Sequence, residues 1–249
     1  MSIERLDKIL SHEGYGTRKS VKHFVRTHEV LVNGKATVDP SSHFDTENDV
    51  LSVDGEVLSF KKNVYLMMNK KADYVCANKD GLHETVFSGL EDKYRTGFMA
   101  EHLHLIGRLD IDTEGLLIFT TDGELTHRLT SPKTHCPKTY FVRLSHSVND
   151  AEYADYSDKF AKGIHIERED NEDEADLESA KLARGPNENE MLLTIYEGKY
   201  HQVKRMFKAV GNEVIYLKRL SIGSLSLDES LNLGSYREMT DDEVLKLEH

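Results

Sequence analysis

Tryptophan is absent from the 249 residues, cysteine occurs twice and proline four times. Cys76 and Cys136 are far apart and lack metal-ligand spacing, which excludes a disulfide framework and a cysteine-built zinc site; both are expected to be reduced. No apolar run approaches the ~20 residues that cross a bilayer. The start, Met1-Ser2-Ile3-Glu4-Arg5-Leu6-Asp7, lacks the apolar region of a signal peptide, so no membrane association and a cytoplasmic location are expected. A phosphate loop and a dinucleotide fingerprint are also missing. His102, His104 and His127 have no His-x₃-His or Glu-supported partner. No metal, no dinucleotide and no other cofactor is therefore expected. Basic residues are the scarcer charge, 32 against 44 acidic, for a net charge of −12. That total argues at first against a nucleic-acid partner.

Location overrides the total. Residues 150 to 190 hold fourteen acidic and five basic residues, which leaves only −3 for the rest of the chain. Elsewhere Lys and Arg gather in patches, and global charge says little about a locally positive groove. With 38% hydrophobic and 31% charged residues, the composition is that of a globular protein able to bury a core.

Residues 3 to 28 read as two short helices broken at Gly14-Tyr15-Gly16, with Thr17 as N-cap of the second. At about 100° per residue, Arg18, Lys19, Lys22 and Arg26 share one side of Thr17–Thr27, while Val21, Phe24 and Val25 point the other way. A solvated surface and an RNA-binding face both fit that spacing. Val30–Val38 carries Asn33-Gly34 between β-formers, a hairpin signal, and a small strand is expected at Asp49–Val53. This order of elements, with Arg5-Leu6-Asp7-Lys8 and Thr17-Arg18-Lys19, resembles the S-four-type RNA-binding domain. The resemblance implies that Arg5, Arg18, Lys19, Lys22 and Arg26 bind RNA. It gives a module over 1–59, a linker over 60–63 (Phe60-Lys61-Lys62-Asn63) and a larger domain over 64–249.

In the larger domain, Val64–Met68, Leu116–Thr120, Tyr140–Leu144 and Met191–Tyr196 read as strands. Glu124–Leu129, Val203–Val210 and Thr240–Leu247 read as helices, and Glu167–Glu178 as a solvated acidic loop. The irregular mixture predicts an α+β fold with a mainly antiparallel sheet.

The densest chemistry lies in Gly107-Arg108-Leu109-Asp110-Ile111-Asp112-Thr113-Glu114-Gly115, a polar turn feeding the buried strand Leu116–Phe119. A carboxylate at such a boundary is partly desolvated, and a nearby cation is the usual means of holding it ionised for nucleophilic or base work. Gly198-Lys199-Tyr200-His201-Gln202-Val203-Lys204-Arg205-Met206 supplies cations. Lys204 and Arg205 sit near a helix N-terminus, where a positive charge opposes the dipole. A surface basic helix start is the commoner reading of that pattern. Lys138-Thr139-Tyr140 is a third cluster, whose Tyr140 suits stacking on a base or packing in a core.

In this order the three segments resemble the pseudouridine synthases of the RsuA type. Gly107-Arg108-Leu109-Asp110, Thr113 and Gly115–Thr120 satisfy one signature, Lys138-x-Tyr140 and Gly198–Met206 two others. The likeness continues through Ile222-Gly223 and Tyr236-Arg237-Glu238-Met239-Thr240. In Asn69-Lys70-Lys71-Ala72-Asp73-Tyr74-Val75-Cys76, Lys71 and Asp73 stand where proline and glycine are usual.

The resemblance implies isomerisation of a uridine in small-subunit ribosomal RNA or its assembly intermediate, without a consumed co-reactant, and the enzyme is expected to be a monomer. It makes Asp110 the nucleophile, Tyr140 the residue that stacks on the uracil, and Lys204 the partner of Asp110. Arg108, His201, Gln202 and Arg205 become substrate contacts, and Asp112, Glu114 and Asp122 turn or capping residues. A large-subunit target and a non-catalytic assembly factor are the competing readings.

Overall fold

The computed structural model describes residues 3–46, 48–58 and 63–248. It divides into two compact units, 1–64 with 90–104, and 65–89 with 105–249. Of the expected linker 60–63, positions 60–62 lie outside the described residues. No described helix is long and apolar enough to cross a membrane.

In the first unit, positive φ at Gly14 and Gly16 separates the helices Leu6–His12 and Arg18–Thr27. The Thr17 hydroxyl caps the second helix by accepting from the Ser20 N–H, satisfying a donor that has no intrahelical partner. Val21 and Val25 are buried and Arg18, Lys19, Lys22 and Arg26 exposed, as the periodicity requires. Asn33 and Gly34 both take positive φ and join Val30–Val32 to Lys35–Ala36 in a tight hairpin. Two details differ from expectation. Ile3–Arg5 is not helical but a strand paired with His43–Asp45, and the later strand is shorter, Leu51–Val53. Leu6, Leu10, Val21, Val25, Phe44 and Leu51 form this unit's core.

The second unit is built on a mixed sheet. Seven strands run in the order Lys181–Arg184, Glu190–Ile195, Lys138–Leu144, Val214–Ile222, Glu114–Thr120, Tyr65–Lys70 and Tyr236–Glu238. Neighbours are antiparallel except Val214–Ile222 and Glu114–Thr120, which run parallel with Arg219 opposite Gly115. Glu114–Thr120 and Tyr65–Lys70 are buried along nearly their whole length, which explains their continuous apolar runs. Gly115 has φ +99, and a Cβ there would lie 2.2 Å from the Arg219 carbonyl oxygen. Only glycine lets these two backbones approach so closely.

The helix Asp150–Lys162 was hidden in the acidic stretch. An Asn149/Glu152 capping box starts it, and Tyr156 and Phe160 meet Phe207 edge-on at ring separations of 6.4 and 5.3 Å. Phe207 lies on the helix Gln202–Ala209, so this packing fixes the basic helix from behind.

Candidate active site

The loop 107–113 leads into the strand Glu114–Thr120, and its shape is imposed by a lysine. Lys70 is fully buried. Its ammonium donates to the carbonyl oxygens of Lys71, Asp110 and Ile111, each at 3.1 Å, and of Thr113 at 2.8 Å. The Asp73 N–H adds a bond to the Ile111 carbonyl at 2.9 Å. Asp73 itself has φ +70. The left-handed conformation that glycine usually supplies here is thus kept with an aspartate, one of the few side chains that tolerate it. The departures at 71 and 73 leave this clamp intact.

The clamp leaves the Asp110 side chain 27% exposed, with one oxygen 3.3 Å from the Lys204 ammonium and the other 3.8 Å from His201 Nε2. Asp110 lines a cavity of about 360 Å³ with Arg108, Thr113, Lys138, Tyr140, His201, Gln202, Leu217 and Arg219, a size suited to a nucleoside. Tyr140 is 7% exposed. A carboxylate beside an ammonium, at the wall of a cavity lined by a largely buried aromatic ring, can attack or take a proton from a ligand stacked on that ring. The family model for RNA pseudouridylate synthase matches residues 64–209.

The chain belongs to the RNA pseudouridylate synthase family.

This synthase is 43% identical to the uncharacterized RNA pseudouridine synthase YtzG of Bacillus subtilis (strain 168), over 96% of each chain. It is 44% identical to ribosomal small subunit pseudouridine synthase A of Vibrio parahaemolyticus, over 96% of this chain and 97% of that one. For the protein of that name from Escherichia coli (strain K12) the identity is 39%, over 96% and 98%. Among solved structures, a pseudouridylate synthase aligns over 98% of this chain and 99% of its own, with TM-score 0.65 and 38% identity.

Several residues stand elsewhere than the sequence suggested. Lys204 lies closer to Asp112, at 2.6 and 2.8 Å, than to Asp110. Asp112 is therefore not merely a turn residue, because it shares the ammonium with Asp110. Glu114 accepts from the Tyr216 hydroxyl, and Asp122 caps the helix Gly123–Thr130. Arg205 was expected on the substrate, but it is 4% exposed and its guanidinium donates to the carbonyls of Glu167, Tyr200 and Asp173. Helical phase turns it away from the face that carries Lys204. In the first unit the Arg5 guanidinium is engaged by Asp7 at 2.7 and 3.0 Å, and this pairing holds the Asp7 carboxyl below the usual range.

The acidic stretch is not a free loop. His165–Ile166 pairs with Ala175–Asp176, and the hairpin between them reaches the basic segment. Glu169 lies 3.2 Å from His201 Nδ1 and 3.6 Å from the Lys208 ammonium, and Asp170 accepts from the Tyr200 hydroxyl at 3.0 Å. His201 therefore sits between Glu169 and Asp110, at a left-handed helix cap with φ +46. Among the described residues, His165, Glu167 and Glu174 gather three potential metal-ligand atoms within 4.8 Å of one another. All three are exposed, and none lines the cavity.

Two cavity residues, Lys138 and Arg219, had no site role in the sequence reading. Lys138 donates to the Cys136 carbonyl at 3.0 Å, and burial pushes its pKa down. Arg219 is 2% exposed. Lys138 opens its strand beside Thr139 and Arg219 follows Lys218, so neither stood out as a buried cation.

Proposed function

We propose that this synthase converts a uridine of small-subunit ribosomal RNA into pseudouridine, with Asp110 as nucleophile, Lys204 as its counter-ion and Tyr140 as the stacking platform. The observation that carries the reading is the Asp110 carboxylate at the cavity wall, 3.3 Å from the Lys204 ammonium. The full-length likeness to proteins named for the small ribosomal subunit supports the substrate class.

The reaction breaks the bond between ribose C1′ and uracil N1, turns the base and rejoins C1′ to C5, consuming no co-reactant. Asp110 can attack C1′, add to the uracil ring, or take a ribose proton, and all three begin from an ionised carboxylate. Extruding the nucleotide costs a few kcal/mol. Stacking on an aromatic ring returns about 1–3 kcal/mol. Arg108, exposed at the cavity's edge, holds the backbone of the flipped nucleotide, while His201 and Gln202 line the wall. Gln202 accepts from the Lys199 N–H at 2.9 Å and donates to Glu197 at 3.2 Å, so its part is to shape the turn.

The N-terminal module, residues 1–59, serves as an RNA anchor through Arg18, Lys19, Lys22 and Arg26. The enzyme works as a cytoplasmic monomer on the RNA or an assembly intermediate. Asp110→Asn is expected to fold and to form no pseudouridine. Carbodiimide mapping of both ribosomal RNAs, treated with each protein, checks this. Pseudouridine from the variant overturns the role of Asp110, and a site in the large-subunit RNA alone overturns the substrate.

A further inference from the structure

Arg219 is the largest fully buried side chain in the described structure, and it lines the cavity that holds Asp110 and Tyr140. Its surroundings do not account for its charge. Nε donates to the Leu116 carbonyl at 2.8 Å, and Nη1 reaches the Arg108 carbonyl only at 3.5 Å. Nη2 is buried and has no hydrogen-bond partner. No carboxylate among the described residues forms an ion pair with it. A buried guanidinium with an idle donor and no counter-ion is costly to fold. Arg219 also lies directly across the strand pair from Tyr140, so both side chains stand on one face of the sheet. A second cavity-lining atom, the Thr113 hydroxyl oxygen, is buried without a partner as well.

We propose that Arg219 is a substrate-contacting residue whose free guanidinium edge donates to a carbonyl oxygen of the flipped uracil and stabilises the negative charge that the base acquires. The inference rests on the reading of this cavity as the uridine site. The chemistry requires such a charge by every route open to Asp110. If C1′ is attacked, the electron pair of the C1′–N1 bond stays with uracil, as an anion spread over N1, O2 and O4. Loss of a ribose proton to Asp110 expels the same anion. Addition of the carboxylate to C6 pushes the ring electrons to C5 and O4. Lys204 cannot meet this need, because Asp110 and Asp112 already share it. A preorganised cation in a site screened from water stabilises developing charge far better than one in solvent. The fold of the base itself makes one fixed donor sufficient. Turning uracil about its N3–C6 axis exchanges N1 with C5 and O2 with O4, so the same guanidinium meets one carbonyl before the turn and the other after it.

The test compares single-turnover tritium release from RNA labelled at uracil C5, using the full-length enzyme and Arg219→Lys, Arg219→Gln and Asp110→Asn. Each protein is checked for folding by circular dichroism and for RNA affinity by filter binding. Each meets RNAs carrying uridine, 2-thiouridine or 4-thiouridine at the target, sulfur being the weaker acceptor. Loss of a charge-stabilising donor is expected to slow release by about 10²–10³-fold, with RNA affinity changed less than threefold. Sulfur is expected to slow the parent enzyme more than it slows the Arg219 variants. An Arg219→Lys rate within threefold of the parent, or equal sulfur effects in both, overturns the inference. Should neither Arg219 variant fold, the parent enzyme decides: unchanged rates on both thio-RNAs overturn the proposal, and slowing supports it. An active Asp110→Asn would sink the underlying site reading. An inactive Asp110→Asn beside a fully active Arg219→Lys sinks only the role of Arg219.

Discussion

Two residues around Asp110 have measurable strain and support. Asp73 occupies the left-handed region at φ +70, which costs an ordinary L-residue about 1–2 kcal/mol and aspartate less. Asp73→Gly is expected to raise the unfolding free energy by a few tenths to ~1 kcal/mol, and Asp73→Val to lower it by about 1–2 kcal/mol. Urea denaturation measures both. Lys70 is a larger matter. Lys70→Met leaves four loop carbonyls without their shared donor. With about 1–3 kcal/mol for each buried group left unsatisfied, and some relief by rearrangement, a loss of roughly 3 kcal/mol is expected, together with loss of isomerisation. A thermal melt and a tritium-release assay check the pair. Asp110, Tyr140 and Lys204 were singled out through a resemblance, and the structure lines one cavity with Asp110 and Tyr140 and sets Lys204 3.3 Å from Asp110. Lys70 and Arg219 carried no such signal, because each sits beside a lysine, Lys71 and Lys218, and a paired cation at a strand looks the same whether it clamps a loop, lines a cavity or snorkels to solvent.

At the scale of elements, legibility followed periodicity. The basic helix Gln202–Ala209 and the strands Tyr65–Lys70 and Glu114–Thr120 carried patterns that local physics produces. The helix Asp150–Lys162 did not stand out, since its apolar contacts rest on Tyr156 and Phe160 within a run of charges. The hairpin around Glu169 was illegible for another reason. What orders it is contact with residues some thirty positions later, at Tyr200, His201 and Lys208, and no local pattern encodes that. This hairpin sets negative charge against cations that an RNA backbone would otherwise meet. Glu169→Gln is therefore expected to tighten RNA binding at low salt and to steepen the dependence of log Kd on log salt by about 0.7 for the freed Lys208. A salt titration of binding on the parent and the variant measures the change, and an unaltered slope speaks against it.

Across the whole molecule, the acidic balance of −12 concealed a chain whose charges are separated by location, and this separation was visible in the sequence once counted by segment. What the sum could not reveal is which carboxylates are held by partners. Arg237 donates to Asp228 and, through two nitrogens, to Glu243. Its hydrogen bonds keep the Glu243 carboxyl down at about 2, against an ordinary 4.5. The unfolded chain thus binds a proton more readily than the folded one. This contribution to stability is present above about pH 4.5 and is lost as pH falls toward 2. Denaturant midpoints measured between pH 6 and pH 3 are expected to fall for the parent and to fall less for Arg237→Met.

The side-by-side run of Val214–Ile222 and Glu114–Thr120 also joins distant parts of the chain. The cavity that Asp110 lines takes residues 107–110 and Thr113 from the approach to Glu114–Thr120, and Leu217 and Arg219 from the neighbouring strand about a hundred positions later. A fragment cut just after the basic helix at Ala209 would keep Asp110 without the strand Val214–Ile222. Removing this strand is therefore expected to open the cavity on the side that Leu217 and Arg219 line.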